Sequence, residues 1–413
     1  MQKRQLGALA AAAVFAISAC TTGTPGAGGD KGTIEIWSSL PRQGSNKAQT
    51  DTVVNAISLA IEEAGGKAGG YTIKYVDKDD STAATGKWDE ATEIKNANDA
   101  VANDAVVGYI GTFNSGAAKL SIPILCQAGI VMISPANTYP GLSKVGKGEE
   151  GEPEKYHPNG CTVNYTRTVP ADDLQGRAGA LWASQLGVKK AYVLDDTELY
   201  GKGIADVFVN EAPNFGIEVL GRDGIDGKAT DYKALAEKVK AASPELVYYG
   251  GITQNNAGQL FRDLRDALGP DVKLMAPDGV FESEFLQAAG VAAEGAYITF
   301  GGVPPDQLVG AGAEFITKYK EKYPDAPPEA YTAYGYEAAK VLLAAIERAA
   351  ASNPADMDAL RAAVLKEVFA TKDYAGVLGT WSFNAEGDTS LTDMSGNIVK
   401  DGEFVFDQVI KEQ

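Results

Sequence analysis

The feature that most constrains the fold is an alternation of strand-like and helical segments that begins at residue 33. TIEIWSSL, residues 33–40, is strand-like, and residues 51–64 place apolar side chains at helical spacing. The strand-like runs YTIKYVD, VVGYIG and IVMISP follow, and a segment of helical pattern separates each from the next. Such alternation predicts parallel sheets with helices on both faces.

The alternation restarts after Pro170, with KAYVLDD, IEVLGR, LVYYGG, VKLMAPDG and AYITF as strands. A single sheet of ten or more strands would be unusually wide. The sequence therefore predicts an α/β fold with two doubly wound parallel-sheet lobes. The remaining segments are predicted as helices near 312–322, 330–350 and 356–369 and as strands near 379–383 and 403–409.

The first nineteen residues have a basic start, a short apolar run and small residues at the end. The run is too short to span a bilayer, so residues 1–19 are predicted to be a signal peptide. They end at Ile17-Ser18-Ala19-Cys20, which resembles the lipobox of bacterial lipoproteins and implies lipidation of Cys20. The alternative is a plain signal peptide with an incidental cysteine. Residues 20–32 are rich in Gly and Thr and are interpreted as a flexible tether.

The charge and the histidine content exclude several function classes. With 37 Lys and Arg against 55 Asp and Glu, the net charge of −18 disfavours nucleic-acid partners. The single histidine, His157, rules out a HExxH zinc helix and makes a Ser-His-Asp triad improbable in its Pro- and Gly-rich loop. A GxGxxG match at 146–151 runs into a proline rather than a helix, so it lacks the context of a nucleotide site. No cofactor and no metal site is predicted.

Export also permits disulfides. With Cys20 lipidated, Cys126 and Cys161 remain, and they are expected to bond and to close a loop that includes the insertion 144–160. Two free thiols are the alternative.

Polar residues follow the ends of several predicted strands. In open α/β sheets, ligands bind beyond the carboxyl ends of the strands. Four such ends lie next to a helix start and carry Ser115 and Gly116, Ala136 to Thr138, Tyr200, and Asp278. Taken singly, each has a structural explanation as a helix cap, a turn or loop packing.

Seven sequence segments occur along the chain in this order: AGIVMISPANTYPGLS, RTVPADDLQG, YGKGIAD, LVYYGG, APDGV, AAEGAYIT and YTAYGYEAAKVLLAAIERA. Together they resemble the type I periplasmic binding proteins, specifically the leucine/isoleucine/valine-binding family of ABC-transporter receptors, over about residues 33–410. Members have two lobes joined by three crossing strands, with an amino acid held between the lobes. The resemblance implies crossings near 166–169, 299–302 and 376–380. It implies an N-terminal lobe of 33–167 plus 301–377 and a C-terminal lobe of 168–300 plus 378–413.

The resemblance also implies roles for individual residues. Ser115 with Gly116, and Ala136 with Asn137 and Thr138, are expected to hold the ligand carboxylate. Tyr200 is expected to close from the second lobe, and Asp278 to meet the α-ammonium group. Weaker candidates for the cavity wall are Ser39, Ile252, Thr253 and Tyr334. The chain departs from the best-known members in having Asp278 in place of a longer glutamate and Asn114 in place of a cysteine.

These features predict a lipid-anchored, extracytoplasmic bacterial protein that binds a small molecule for an ABC permease, as a monomer and without catalysis. The ligand is expected to be an amino acid, with a branched-chain one as a candidate. An alternative keeps the receptor role for an amide, urea or an aromatic acid. An alternative from another class is an extracellular hydrolase using Asp195 and Asp196, which are adjacent on a strand and so face opposite sides.

Overall fold

The structure is a computed structural model that describes residues 31–412. The strands of this part of the chain are β1 (Thr33–Leu40), β2 (Lys67–Ala68), β3 (Tyr71–Asp79), β4 (Ser81–Thr82), β5 (Lys87–Trp88), β6 (Val106–Gly111), β7 (Val131–Ser134), β8 (Tyr165–Arg167), β9 (Lys190–Asp195), β10 (Glu218–Gly224), β11 (Leu246–Gly250), β12 (Lys273–Ala276), β13 (Tyr297–Gly301), β14 (Tyr374–Gly376), β15 (Gly379–Trp381), β16 (Met394–Lys400) and β17 (Glu403–Val409). The helices are α1 (Lys47–Glu63), α2 (Glu90–Val101), α3 (Ser115–Gln127), α4 (Asp172–Gln185), α5 (Leu199–Glu211), α6 (Lys233–Ala242), α7 (Ala257–Leu268), α8 (Ser283–Ala289), α9 (Ala311–Lys322), α10 (Thr332–Ala351) and α11 (Met357–Phe369). The predicted signal peptide and Cys20 lie outside the described residues.

The first sheet has the strand order β2-β3-β1-β6-β7-β8, and all its neighbours except β2 and β3 pair in parallel. Its central strands are buried on both faces, because helices cover both sides. The predicted apolar stripe of α1 is buried, with Val53, Ile57 and Ala60 fully enclosed. This stripe packs on α10, which joins the first lobe from far along the chain.

The second sheet has the order β10-β9-β11-β12-β13-β16-β17. Strands β9 to β13 pair in parallel, whereas β16 and β17 are antiparallel to their neighbours. The two sheets define two lobes, because each has its own layer of helices. In both sheets the carboxyl ends of the parallel strands face the groove between the lobes, as the residues around the cavity described below indicate.

The chain passes between the sheets three times within residues 31–412. The first passage lies between β8 and α4, the second follows β13, and the third precedes β16. The third passage lies later than the predicted crossing at 376–380, so within the segment 378–413 only β16 and β17 join the second sheet, and β15 does not. Strand β15 instead folds back on β14, and the buried indole of Trp381 donates to Glu337 of α10 at 2.7 Å, so this hairpin stays with the first lobe.

Cys126 and Cys161 are joined by a disulfide, with 5.8 Å between their Cα atoms. The bond ties the end of α3 to the far end of the insertion 144–160. Within the insertion, the buried Glu152 accepts hydrogen bonds from the hydroxyl groups of Tyr139, at 2.9 Å, and Tyr156, at 2.5 Å. The loop is therefore anchored by both a covalent bond and a buried carboxylate.

No helix between residues 31 and 412 is both long and apolar enough to cross a bilayer.

Candidate functional site

A small cavity lies between the lobes, with about 350 Å³ of empty space including its mouth. The first lobe contributes Gln49, Phe113, Asn114, Ser115, Ala136, Thr138 and Tyr331, and the second contributes Tyr200, Ile252, Asp278 and Gly279.

One end of the cavity is built from the start of α3 and the loop after β7. Ser115 is the first residue of α3, so the N–H groups of this first turn have no partner within the helix. The loop is held in shape by Ser134, whose hydroxyl accepts from the N–H groups of Ala136 at 3.1 Å and Asn137 at 2.8 Å. Thr138 completes this wall. Backbone N–H groups, two hydroxyl groups and the positive end of a helix dipole favour an anion here.

The opposite end of the cavity is acidic. Asp278 accepts hydrogen bonds at Oδ1 from Gln175 Nε2, at 2.6 Å, and from the Tyr200 hydroxyl, at 2.9 Å, and at Oδ2 from the Tyr331 hydroxyl. The Tyr200 hydroxyl in turn accepts from the N–H of Gly279 at 3.0 Å. Burial raises the pKa of Asp278, and the three hydrogen bonds offset part of that rise. All three donors are neutral, so the carboxylate has no cationic partner among them.

A second carboxyl group, Asp172, lies close to Asp278 at the start of α4. It is fully buried, and its N–H donates to the carbonyl of Thr138 at 2.8 Å. Burial raises the pKa of Asp172 well above its ordinary value, and the charge of Asp278 raises it further. Asp278 lines this end of the cavity and has only neutral donors around it, so this end is complementary to a cation.

Six of the predicted site residues therefore surround one cavity: Ser115, Ala136, Thr138, Tyr200, Ile252 and Asp278.

Two predicted residues support the cavity without lining it. The Asn137 side chain donates to the carbonyl of Phe113 at 2.9 Å and so joins the loop after β7 to the loop before α3. The Thr253 hydroxyl donates to the carbonyl of Gly279 at 3.4 Å.

Three other predicted residues have different surroundings. A side chain at Gly116 would lie 2.6 Å from the Trp88 ring, so this glycine makes room for a tryptophan. Ser39 donates to the buried Glu93 at 2.5 Å, inside the first lobe. The Tyr334 hydroxyl donates to the carbonyl of Gly301 at 2.5 Å, where the second passage between the lobes begins.

The sequence reasoning missed five cavity residues: Gln49, Phe113, Asn114, Gly279 and Tyr331. Phe113 and Asn114 directly precede Ser115 and could have been inferred from it. Tyr331 lies three residues before Tyr334 in the same YTAYGY string, and only the position of the string in space selects between them.

The lobes also contact each other beyond the cavity. The β4–β5 hairpin of the first lobe reaches the second: Lys87 Nζ lies 2.7 Å from Glu198 Oε1 and 2.9 Å from Asn255 Oδ1. Trp88 Nε1 donates to Glu198 at 3.1 Å. We call this set the hairpin clasp, comprising residues 81–88 with Glu198 and Asn255.

A second contact between the lobes is centred on Glu282, which is 1% exposed. It accepts from Asn46 at 2.9 Å and Gln49 at 3.3 Å, both on the first lobe, and from Gln254 at 3.2 Å on its own lobe. Burial raises the pKa of Glu282 to about 8. These contacts show that the structure represents a closed arrangement of the lobes.

A protein-family model and several known proteins match most of this chain. A family model described as periplasmic binding protein matches residues 33–400. Leu/Ile/Val-binding protein homolog 2 of Brucella abortus is 31% identical over 87% of this chain and 88% of its own length. An amino acid binding protein of Pseudomonas aeruginosa is 28% identical, with 86% of each chain covered.

Among solved structures, a leucine binding protein from Thermotoga maritima has a TM-score of 0.78 and 27% identity, covering 92% of this chain and 99% of that one. The predicted family and the predicted two-lobed α/β fold are thereby confirmed. The match extends across both lobes and the cavity between them, and on this basis the chain belongs to the periplasmic binding protein family.

Proposed function

We propose that this protein is the extracytoplasmic substrate-binding component of an ABC importer and that it captures a free α-amino acid between its lobes. The observation that carries the proposal is the polarity of the cavity. One end offers the hydroxyl groups of Ser115 and Thr138 and the start of α3, and the other offers the carboxylate of Asp278. A zwitterion is complementary to both ends at once, because its carboxylate needs donors and its ammonium group needs an acceptor.

The relatives support the same role. The Brucella abortus protein is named for Leu/Ile/Val binding, and the Pseudomonas aeruginosa protein for amino acid binding. An uncharged amide, urea or a simple aromatic acid would leave Asp278 without a charged partner in a closed cavity. Leaving a buried charge unpaired is costly, so these ligands fit the cavity less well.

Binding is proposed to work by hinge closure. A ligand that touches both lobes stabilises the closed arrangement, and a permease that distinguishes closed from open then receives only loaded protein. No chemical step is proposed. We further propose that lipidation of Cys20 anchors a monomeric protein to the outer face of a membrane.

Thermal unfolding of the protein from Gly32 onward, with the twenty amino acids, urea, short amides and benzoate, tests the proposal. A ligand at 100 times its dissociation constant adds about 2.7 kcal/mol to the free energy of unfolding, which is a readable shift. A shift with one or more amino acids is the expected result. Shifts confined to the amides, urea or benzoate would overturn the amino acid assignment and keep the receptor role.

A further inference from the structure

The part of the cavity wall beyond its two charged ends faces the side chain of the ligand. Once Ser115 and Thr138 are assigned to the carboxylate and Asp278 to the ammonium group, the remaining wall consists of Gln49, Phe113, Asn114, Ile252 and Tyr331, with small backbone contributions. Three of these five are apolar or aromatic, and Phe113 and Tyr331 pack edge to face with 5.4 Å between their ring centres. The other two are primary carboxamides.

Gln49 lines the cavity and has one buried polar atom without a hydrogen-bond partner among the described residues. The residue is 2% exposed, and its Nε2 donates to Glu282 at 3.3 Å. Its Oε1 is buried and has no hydrogen-bond partner among the described residues. If the amide is turned around, Nε2 takes that place, so one unpaired polar atom remains in either orientation.

Asn114 repeats the pattern on the neighbouring loop. It is 8% exposed, and its Oδ1 is buried without a partner in the part of the chain that the structure describes. Asn114 also occupies the N-cap position of α3, where an asparagine side chain normally accepts a backbone hydrogen bond from the first turn. Here no such side-chain bond forms. The amide contributes to the cavity wall instead of capping its helix.

Two buried amide oxygens without partners, on residues that line a cavity, are costly unless the ligand pairs with them. A branched aliphatic side chain would expel water from both and satisfy neither. A carboxamide or a hydroxyl both donates and accepts, so it can pair with either orientation of Gln49 and Asn114. An acidic side chain is disfavoured, because it would repel the Asp278 carboxylate in the same small cavity.

We infer that the ligand is an α-amino acid with a neutral polar side chain, ending in a carboxamide or a hydroxyl group, rather than leucine, isoleucine or valine. This inference rests on the proposed function and narrows its substrate class.

Isosteric ligand pairs test the inference directly. Isothermal titration of the purified protein compares Asn with Leu, Thr with Val, and Gln with homoleucine, because the members of each pair share their size and branching. We expect the polar member to bind at least tenfold more tightly in every pair that binds, since a site built for hydrogen bonds rejects the apolar isostere. Equal or tighter binding of the aliphatic member would overturn the inference and leave the proposed function standing. If no α-amino acid binds at all, the proposed function itself falls.

A variant pair tests whether Gln49 is responsible. Gln49→Met removes the amide from the cavity wall, and we expect it to reduce the preference for the polar isostere by about tenfold or more. Gln254→Met is the matched control, because Gln254 donates to the same Glu282 at 3.2 Å but does not line the cavity. The control is expected to keep the wild-type preference. An equal loss in both variants would mean that the effect passes through Glu282, and it would overturn the role given to Gln49.

Discussion

Three side chains donate hydrogen bonds to the carboxyl group of Asp278 at the edge of the cavity. Its three hydrogen-bond donors, Gln175, Tyr200 and Tyr331, come from both lobes and position the carboxylate without neutralising it. Contacts from both lobes therefore surround the Asp278 carboxyl group with neutral donors, an environment complementary to a cation. The hydrogen bonds from Tyr200 and Tyr331 hold the short side chain of Asp278 in place at the edge of the cavity.

The prediction at this scale concerns the charge of Asp278. Replacement Asp278→Asn keeps the shape but removes the anion, and we expect the free energy of binding an α-amino acid to weaken by about 2–5 kcal/mol. The unliganded variant should be at least as stable as the wild type, because burial disfavours the ionised form of Asp278. Isothermal titration and thermal unfolding measure the two effects.

Asp173→Asn is the control for this prediction. Asp173 is next in sequence to Asp172 but pairs with Lys144 at 2.7 Å and does not line the cavity. It should leave the affinity unchanged. Unaltered affinity in Asp278→Asn would remove Asp278 from the site.

At the scale of elements, the β4–β5 hairpin has a role that its own sequence does not suggest. It is a short loop between the first long strand pair and α2, and Asp89, which follows it, caps α2 by accepting from the N–H of Thr92 at 2.9 Å. The hairpin nevertheless reaches across the cleft to Glu198, the residue that precedes α5. It is positioned to slow the opening of the closed form.

The corresponding prediction is that Lys87→Met speeds ligand release. The Lys87–Glu198 ion pair is partly exposed, and such pairs contribute about 0.2–1 kcal/mol, so the dissociation rate should rise up to about fivefold with little change in the association rate. Stopped-flow displacement measures both rates. Lys95→Met, which removes an exposed ion pair to Asp99 within α2, should leave release unchanged. A similar acceleration in both variants would argue against the clasp.

Over the whole molecule, buried carboxyl groups are the dominant electrostatic feature. Burial raises the pKa of Glu93 to about 7, of Asp196 to about 7 and of Glu282 to about 8, and it raises Asp80 and Asp172 well above their ordinary pKa values. In the unfolded chain these groups ionise near pH 4 to 4.5. The folded protein thus binds more protons between about pH 4.5 and 8.

We therefore predict that the unliganded protein loses stability as the pH rises from about 5 to 8. The sign follows from the raised pKa values in the folded state. Each such group stabilises the folded state fully at pH values below its unfolded pKa, and this stabilisation is lost as the pH rises towards its folded pKa. Groups with a lowered pKa, such as Glu35 and Glu152, act in the opposite direction but only below about pH 4.5.

Thermal unfolding across this pH range checks the prediction. Glu93→Gln should flatten the slope between pH 5 and 7, because it removes one of the titrating groups. A wild-type melting temperature that stays constant or rises from pH 5 to 8 would contradict it.

The sequence by itself determined the class of fold and the centre of the cavity. Alternating patterns placed most of the strands and helices, although not β16, and polar residues at strand ends made Ser115, Thr138, Tyr200 and Asp278 candidates, because the carboxyl ends of parallel strands meet at one edge of a sheet. The resemblance to the leucine/isoleucine/valine-binding family then selected these candidates as one expected site. Residues that follow the ends of different strands therefore lie around one cavity.

Only the tertiary structure decided which other side chains reach the cavity. Gln49 and Tyr331 belong to helical segments about 280 residues apart, and their approach depends on how α10 packs on α1. The same packing places the Tyr334 hydroxyl against the carbonyl of Gly301. It also holds the β14–β15 hairpin in the first lobe through the hydrogen bond from Trp381 to Glu337. The spacing of apolar residues predicts that a helix buries one face, but it does not specify which element that face packs against. Here the packing of α10 on α1 determines which side chains line the cavity.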